Sequence, residues 1–295
     1  MESTNTEPKK SFRYTPLDGE RQQTRIFTLL PGEKQSPLCG TLVAVDLTDN
    51  LQYDALSYVW GNPSPLFDLA VNGNVLGIAE NLRNALLAIR LEKEPTALWI
   101  DAICINQKDI DERSRQVQLM RSIYGSARRV RVWLNVDVDL GSPALEAARM
   151  QPLALTGHDL AFWDPFYQIF ASAYWERLWT QQELLLSRSL VFHFPEGTLD
   201  GEPVIAFERA ANNLWFRSLD SGQASLDYST CTFGRGLFST LHDGFQSAHD
   251  DGFSYADNNG PFLLNLFLRS HSLKSTDPRD HVYGLVGLAR IVAST

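Results

Sequence analysis

The chain has 295 residues, 44% of them hydrophobic and 21% charged, with a formal net charge of −9, which is the composition of a folded protein and not of a disordered one. The acidic balance argues against a nucleic acid or an anionic lipid surface as partner, and no apolar run of about eighteen residues marks a membrane span. Three scattered cysteines, Cys39, Cys104 and Cys231, without a C-x-x-C pair, suit a reducing compartment, and the apolar-poor start is no secretory signal, so a soluble cytoplasmic protein is expected.

Residues 1–20 are expected to form a disordered tail. Arg25-Ile-Phe-Thr-Leu-Leu30 and Gly40-Thr-Leu-Val-Ala-Val45 read as strands joined by a turn at Pro31-Gly32. Tyr53 to Gly61 reads as a third strand. Asn72-Gly73 between apolar residues is a strong hairpin signal. Leu82, Ala85, Leu86 and Ile89 recur at helical spacing and predict a helix over 80–91. Residues 98–103 predict a buried strand, 112–126 a helix with Val117, Met120, Ile123, Tyr124 and Ala127 on its apolar side, and 129–134 another strand. This alternation is the pattern of a parallel sheet.

Beyond it, an aromatic-rich helical region spans 160–187, interrupted at Asp164-Pro165. Its aromatics read as core more readily than as a partner surface. Residues 189–194 read as a strand and 203–216 as a helix. An irregular segment near 218–260 follows, then a helix over 261–271, a turn at 276–280 and a last apolar helix to Ile291. The expected class is α/β, a mostly parallel central sheet flanked by helices, with an N-terminal β extension and C-terminal helical additions. The expected domains are the tail at 1–20, a core at 21–200 and a C-terminal extension at 201–295 packed on that core.

The most informative stretch is Leu98-Trp-Ile-Asp-Ala-Ile-Cys-Ile-Asn-Gln107. An acid at the exit of a buried strand is costly unless paired or used, and ligands of open α/β sheets bind beyond the strands' carboxyl ends. Asp101, Asn106 and Gln107 therefore mark the expected working edge. Asp101 reads either as a ligand-binding acid or as a helix cap or ion-pair partner of Arg113 or Arg115. Asn106 and Gln107 read either as ribose-hydroxyl ligands or as caps of the next helix, with capping favoured for Asn106.

Several segments together resemble the fungal heterokaryon incompatibility (HET) domain family. They are Tyr53-Asp-Ala-Leu-Ser-Tyr-Val-Trp-Gly61, the stretch 98–107, the helix and strand through Val132-Trp133-Leu134, Trp175-Glu-Arg-Leu-Trp-Thr-Gln-Gln-Glu183, and Asp277-Pro-Arg-Asp-His-Val-Tyr-Gly-Leu-Val-Gly-Leu288. The resemblance implies a role in fungal self/non-self recognition, with protein partners in incompatibility signalling and activation leading to programmed cell death. It leaves self-association open. Members of that family usually carry a longer C-terminal region, so a short member or a truncated product is expected. A more distant similarity in order, Tyr53…Gly61, Asp101, then Trp179-x-x-x-Glu183-Leu184, looks like the Toll/interleukin-1 receptor (TIR) domain, and implies a TIR/flavodoxin-like core. In the NAD-cleaving TIR domains the glutamate matching Glu183 is catalytic.

Glu183 is the sharpest candidate. On one continuous helix Trp175, Trp179 and Glu183 would share a face, and desolvation among aromatics would raise the carboxyl pKa. Such a carboxylate suits an oxocarbenium-like transition state. The alternative is a structural ion pair with Arg177 or Arg188. The expected catalytic pair is Glu183 and Asp101. The expected substrate contacts are Tyr58, Trp60, Asn106, Gln107 and Trp179, with NAD as candidate substrate, no cofactor and no metal. A non-enzymatic assembly module is the competing reading. A thiol hydrolase using Cys104 is a third, though a buried inert cysteine is the better expectation. Asp277 is expected to cap the last helix, and Arg279 to pair with an acid elsewhere.

Overall fold

Strands form where the apolar runs predict them, but they pair differently. The structure is a computed structural model that describes residues 10–49, 51–150, 160–208, 210, 273–275 and 278–280. The chain divides into two units, residues 1–129 and 130–295, and each is taken by itself.

The first unit runs β1 (Gln23–Leu29), β2 (Cys39–Asp46), β3 (Asp54–Tyr58), β4 (Leu66–Val71), β5 (Asn74–Ala79), α1 (Glu80–Ile89), β6 (Thr96–Trp99), α2 (Asp101–Cys104) and α3 (Ile110–Ser126). Its strands lie in the order β5-β4-β2-β1-β6-β3. Strand β1 pairs antiparallel with β2 along its length and antiparallel with β6 at Phe27–Leu29. Strands β4 and β5 form the expected hairpin, with Asn72 and Gly73 both at positive φ, 48° and 78°, as a tight two-residue connection requires. Parallel pairing is confined to β3 with β6 and to a short β2–β4 contact.

The sheet is therefore mostly antiparallel, which corrects the expected parallel one. Helix–strand alternation fixes the crossover from β3 to β6 but says nothing of an earlier strand. Here β1 enters beside β6 and runs against it, so the N-terminal β extension lies inside the sheet. The strand expected over 98–103 ends at Trp99, and Asp101–Cys104 is a helical turn. Ile100, Ile103 and Cys104 are buried in either conformation, so the apolar run alone could not separate the two. The turn expected at Pro31-Gly32 falls later, where the Ser36 amide donates to the Glu33 carbonyl at 3.0 Å. Part of the stretch expected as a free tail is fixed as well: Ser11 bridges to Val75, and the Tyr14 hydroxyl donates to the Ile103 carbonyl at 3.0 Å.

The core of this unit contains a polar seam. Trp99 is fully buried and its Nε1 donates to Thr24 Oγ1 at 2.9 Å. Thr24 donates to Gln116 Oε1 at 2.7 Å, and Gln116 Nε2 to the Gln23 carbonyl at 2.6 Å. Tyr124 packs edge-on against Trp99 and donates to the Leu56 carbonyl at 3.1 Å. Beside them Arg25 and Glu112, 3% and 4% exposed, form an ion pair at 2.7 Å. The buried face of α3 therefore begins with Glu112 and Gln116, and Val117 is only half-buried.

The second unit runs β7 (Val130–Trp133), α4 (Pro143–Arg149), α5 (Asp164–Phe170), α6 (Leu178–Leu185), β8 (Leu190–Phe194) and β9 (Gly197–Asp200). Strand β8 pairs parallel with β7 and antiparallel with β9. Residues 201–208 are helical, earlier than the helix expected from 203. A Cβ on Gly201 would come within 2.6 Å of Leu190 Cβ, so only glycine permits this approach to β8. The aromatic band is core in larger part: Trp163, Phe166, Phe170, Tyr174 and Trp175 are buried while Phe162, Tyr167 and Trp179 are half-buried, and Phe166 stacks on Phe207 at 4.1 Å. The helical region 160–187 breaks at Asp164-Pro165, where Pro165 lies in the first turn of α5, and again at an extended Arg177. The irregular segment near 218–260, the helix over 261–271, Asp277 and the last helix to Ile291 lie outside the described residues.

Breaking the buried ion pair should be costly. Glu112→Ala leaves the Arg25 guanidinium uncompensated and should lower unfolding free energy by about 3–5 kcal/mol in urea titrations. Combining it with Arg25→Met should recover much of that loss. Equal losses in the single and double variants would show that the pair does not act as a unit.

Candidate functional site

The loop that follows β6 is built by its own polar groups. Ile100 is still extended at φ −138°, ψ 116°, and Ile105 returns to extended geometry at φ −105°, ψ 132°, so α2 is a single turn between them. Asp101 opens that turn, and its Oδ1 accepts from the Ala102 amide at 2.7 Å. Its Oδ2 accepts from Trp60 Nε1 at 2.7 Å. Gln107 Nε2 reaches back to the Asp101 carbonyl at 2.8 Å. The Asn106 amide donates to Glu112 Oε1 at 2.7 Å, and Asn106 Oδ1 accepts from the Lys108 amide at 3.3 Å. Asp109, not Asn106, caps α3, accepting from the Glu112 amide at 3.0 Å.

Trp60 reaches this loop from the exit of β3. Asn81 at the start of α1 donates through Nδ2 to the Val59 carbonyl at 2.5 Å, and Gly61 takes φ +72°, a region where glycine carries no steric penalty. Between those two fixed points the Trp60 indole is 41% exposed, while Tyr58 is buried at 4%. Asp101 thus contacts both Trp60 and Gln107, with Asn106 in the same loop and Tyr58 beneath the surface.

Trp179 and Glu183 lie in the second unit, one helical turn apart on α6. Glu183 is 5% exposed. Trp175 belongs to the 3-10 turn Ala173–Glu176, and extended Arg177 separates it from α6. The expected single face carrying Trp175, Trp179 and Glu183 is therefore corrected to Trp179 and Glu183 alone. Trp175 donates through Nε1 to the Ile169 carbonyl at 2.8 Å, and Trp179 to Asp280 Oδ2 at 3.0 Å. Trp179, expected to be largely buried against the sheet, is half-buried. Two open cavities in this unit, of about 690 and 700 Å³, are lined by other residues, among them Arg149 and Arg188 in one and Asp137 and Glu196 in the other. Among the described residues no group of three His, Cys, Asp or Glu could hold a metal ion, and no helix is long and apolar enough to cross a membrane.

Cys104 is fully buried, and burial pushes its thiol up to about 12. It donates weakly to the Leu98 carbonyl and accepts from the Ile100 amide at 3.3 Å. A thiol so placed is no nucleophile near neutrality. The sequence reading missed Arg25, Glu112 and Asp280. The signal for Glu112 was its helical register with Gln116 and Met120, two of which are polar residues and so read as a solvated face.

Residues 53–183 match the model of the family described as Heterokaryon incompatibility protein (HET). A curated relative, Heterokaryon incompatibility protein 6, OR allele, of Neurospora crassa, is 42% identical over 108 residues. That match covers 32% of this chain and 16% of the relative, so the chain spans only a small part of that protein's length. No solved structure matches.

Cys104 should resist alkylation in the folded chain while half-buried Cys39 labels, read by site-resolved mass spectrometry with urea-unfolded protein as control. The thiol's ordinary value is 9.0 and its folded value about 12. Above pH 9 the unfolded chain therefore binds fewer protons than the folded one, and stability falls as pH rises between these values. Cys104→Ala should flatten that slope in urea titrations across the same window, and an unchanged slope would assign it to other groups.

Proposed function

Because residues 53–183 match the heterokaryon incompatibility family model, we propose that the protein is an effector of fungal self/non-self recognition whose activation ends in programmed cell death. It acts in the cytoplasm with protein partners. The chemistry we assign to it is TIR-like cleavage of NAD at the glycosidic bond, with Glu183 as the catalytic acid. The observation that carries this assignment is a carboxylate only 5% exposed, one turn beyond a tryptophan indole on the same helix. A carboxylate out of water stabilises developing positive charge on ribose more strongly than a solvated one, and an indole face can stack a leaving base.

A non-enzymatic reading has its own support. Both carboxylate oxygens of Asp101 already accept hydrogen bonds from within the first unit, which leaves this acid less capacity for a substrate. In that reading the protein kills by assembling with partners through protein–protein contacts.

Induction in a fungal cell should arrest growth and deplete NAD. Glu183→Gln, nearly isosteric, should abolish both while soluble yield and thermal midpoint hold, since an electrostatic contribution of about 3–4 kcal/mol corresponds to a hundred- to a thousandfold in rate. Asp101→Asn should cost less. A folded Glu183→Gln variant that still arrests growth with NAD unchanged would replace the enzymatic reading by the assembly one.

A further inference from the structure

Helix α6 begins without a cap of its own. Arg177, the residue before it, is extended at φ −87°, ψ 137°, and makes no side-chain capping bond. The first N–H groups of a helix have no intrahelical acceptor. The Leu178 amide instead donates to the carbonyl of Lys274 at 3.0 Å. Lys274 returns its own amide to the Glu176 carbonyl at 2.5 Å, making an isolated parallel bridge with Arg177. Its ammonium lies 2.6 Å from the Glu176 carboxylate, and Leu273 before it is buried. Further along, Asp280 Oδ2 holds Trp179 Nε1 at 3.0 Å. Lys274 and Asp280 thus grip Glu176, Leu178 and Trp179, the residues about the first turn of α6.

Two features make this grip weaker than the fold around it. The bridge lies outside any named strand, and the Lys274 side chain is 75% exposed, so its ion pair is largely solvated. By contrast β8 is flanked by ladders on both sides. Helix α6 is also not fully satisfied where it sits. Gln182, one residue before Glu183, is 3% exposed, and its Oε1 accepts no hydrogen bond from the described residues, which has a free-energy cost that a shift of the helix can relieve.

We propose that residues 273–275 and 278–280 form a detachable strap on α6. Seated, the strap supplies the missing N-cap and fixes the Trp179 indole. Withdrawn, it lets the first turn of α6 fray, and Trp179 and Glu183 lose their fixed relation. Asp280 and Lys274 are positioning residues, and the strap is a built-in control of the helix that bears Glu183. Its consequence for activity rests on the reading of Glu183 given above, whereas its structural content does not.

The test is residue-resolved hydrogen exchange on the full chain, without substrate. Asp280→Ala and Lys274→Pro, which removes the amide given to Glu176, should each speed exchange at the Leu178 amide by about tenfold or more, as a local opening does. The Phe192 amide in β8 should hold its wild-type rate. Asp280→Asn retains an acceptor oxygen for the Trp179 indole and should restore wild-type exchange at Leu178. Unchanged Leu178 exchange in both disrupting variants overturns the proposal. So does an equal acceleration at Leu178 and Phe192, which would make the segment part of the global core. Because no NAD is present, either result stands apart from the cellular measurement on Glu183.

Discussion

Two opposite charges, Arg25 in the middle of β1 and Glu112 in the first turn of α3, meet inside the first unit with almost no water around them. Dehydrating both is expensive, and their attraction offsets that cost only when the remaining donors and acceptors are also satisfied. Here they are engaged on several sides. Arg25 donates to both Glu112 oxygens, to the Cys104 carbonyl at 2.9 Å and to the Thr15 carbonyl at 2.7 Å, and its guanidinium lies over the Tyr14 ring. Glu112 additionally accepts the Asn106 amide. One pair therefore fixes the placement of β1, the end of α2, the start of α3 and the lie of the chain before β1. A slip of β1 by one residue would turn Arg25 to the other face of the sheet and strand Glu112, so the pair selects one register more than it adds stability.

That arrangement changes the meaning of the most conspicuous run in the sequence. The polar groups of 101–107 hold their own loop: Gln107 on the Asp101 carbonyl, the Asn106 side chain on the Lys108 amide and its own amide on Glu112, Asp101 on the Ala102 amide. From the exit of β3 the 41%-exposed Trp60 indole is held by Asp101 of this loop. The Asp54 carboxylate follows the same logic at the entry to β3, where it is fully buried and paired with Arg128 at 3.0 Å. In this unit acids in apolar surroundings mark joints between elements.

Features that depend on neighbours in sequence were legible. The Asn72-Gly73 hairpin, α1 and the body of α3 follow from turn chemistry and helical period, and the aromatic band from 162 onward was readable as core. Features set by distant partners were not. Nothing local says that β1 runs against β6, because direction is settled by where a strand enters the sheet. The turn at Asp101 was hidden because Ile100, Ile103 and Cys104 are buried as strand or as helix. Glu112 was hidden because a charged residue on a helix normally faces water. On α6 the helical spacing of Trp179 and Glu183 could be read, but the break at Arg177 could not, since the residue that replaces the missing cap there is Lys274.

The interior position of β1 also bears on how the chain is made. A ribosome delivers β1 and β2 early, and they can pair at once as a hairpin. The second edge of β1, with Phe27 and Leu29 beside it, has no partner until Thr96–Trp99 has been synthesised. During that interval an apolar strand presents unpaired backbone groups to whatever else is nearby, which is the situation that promotes pairing between chains. High local concentrations of nascent chain, as on polysomes translating an abundant message, are where this fold is most exposed to misassembly. Slowing elongation between β2 and β6 would lengthen that exposure without altering the finished protein.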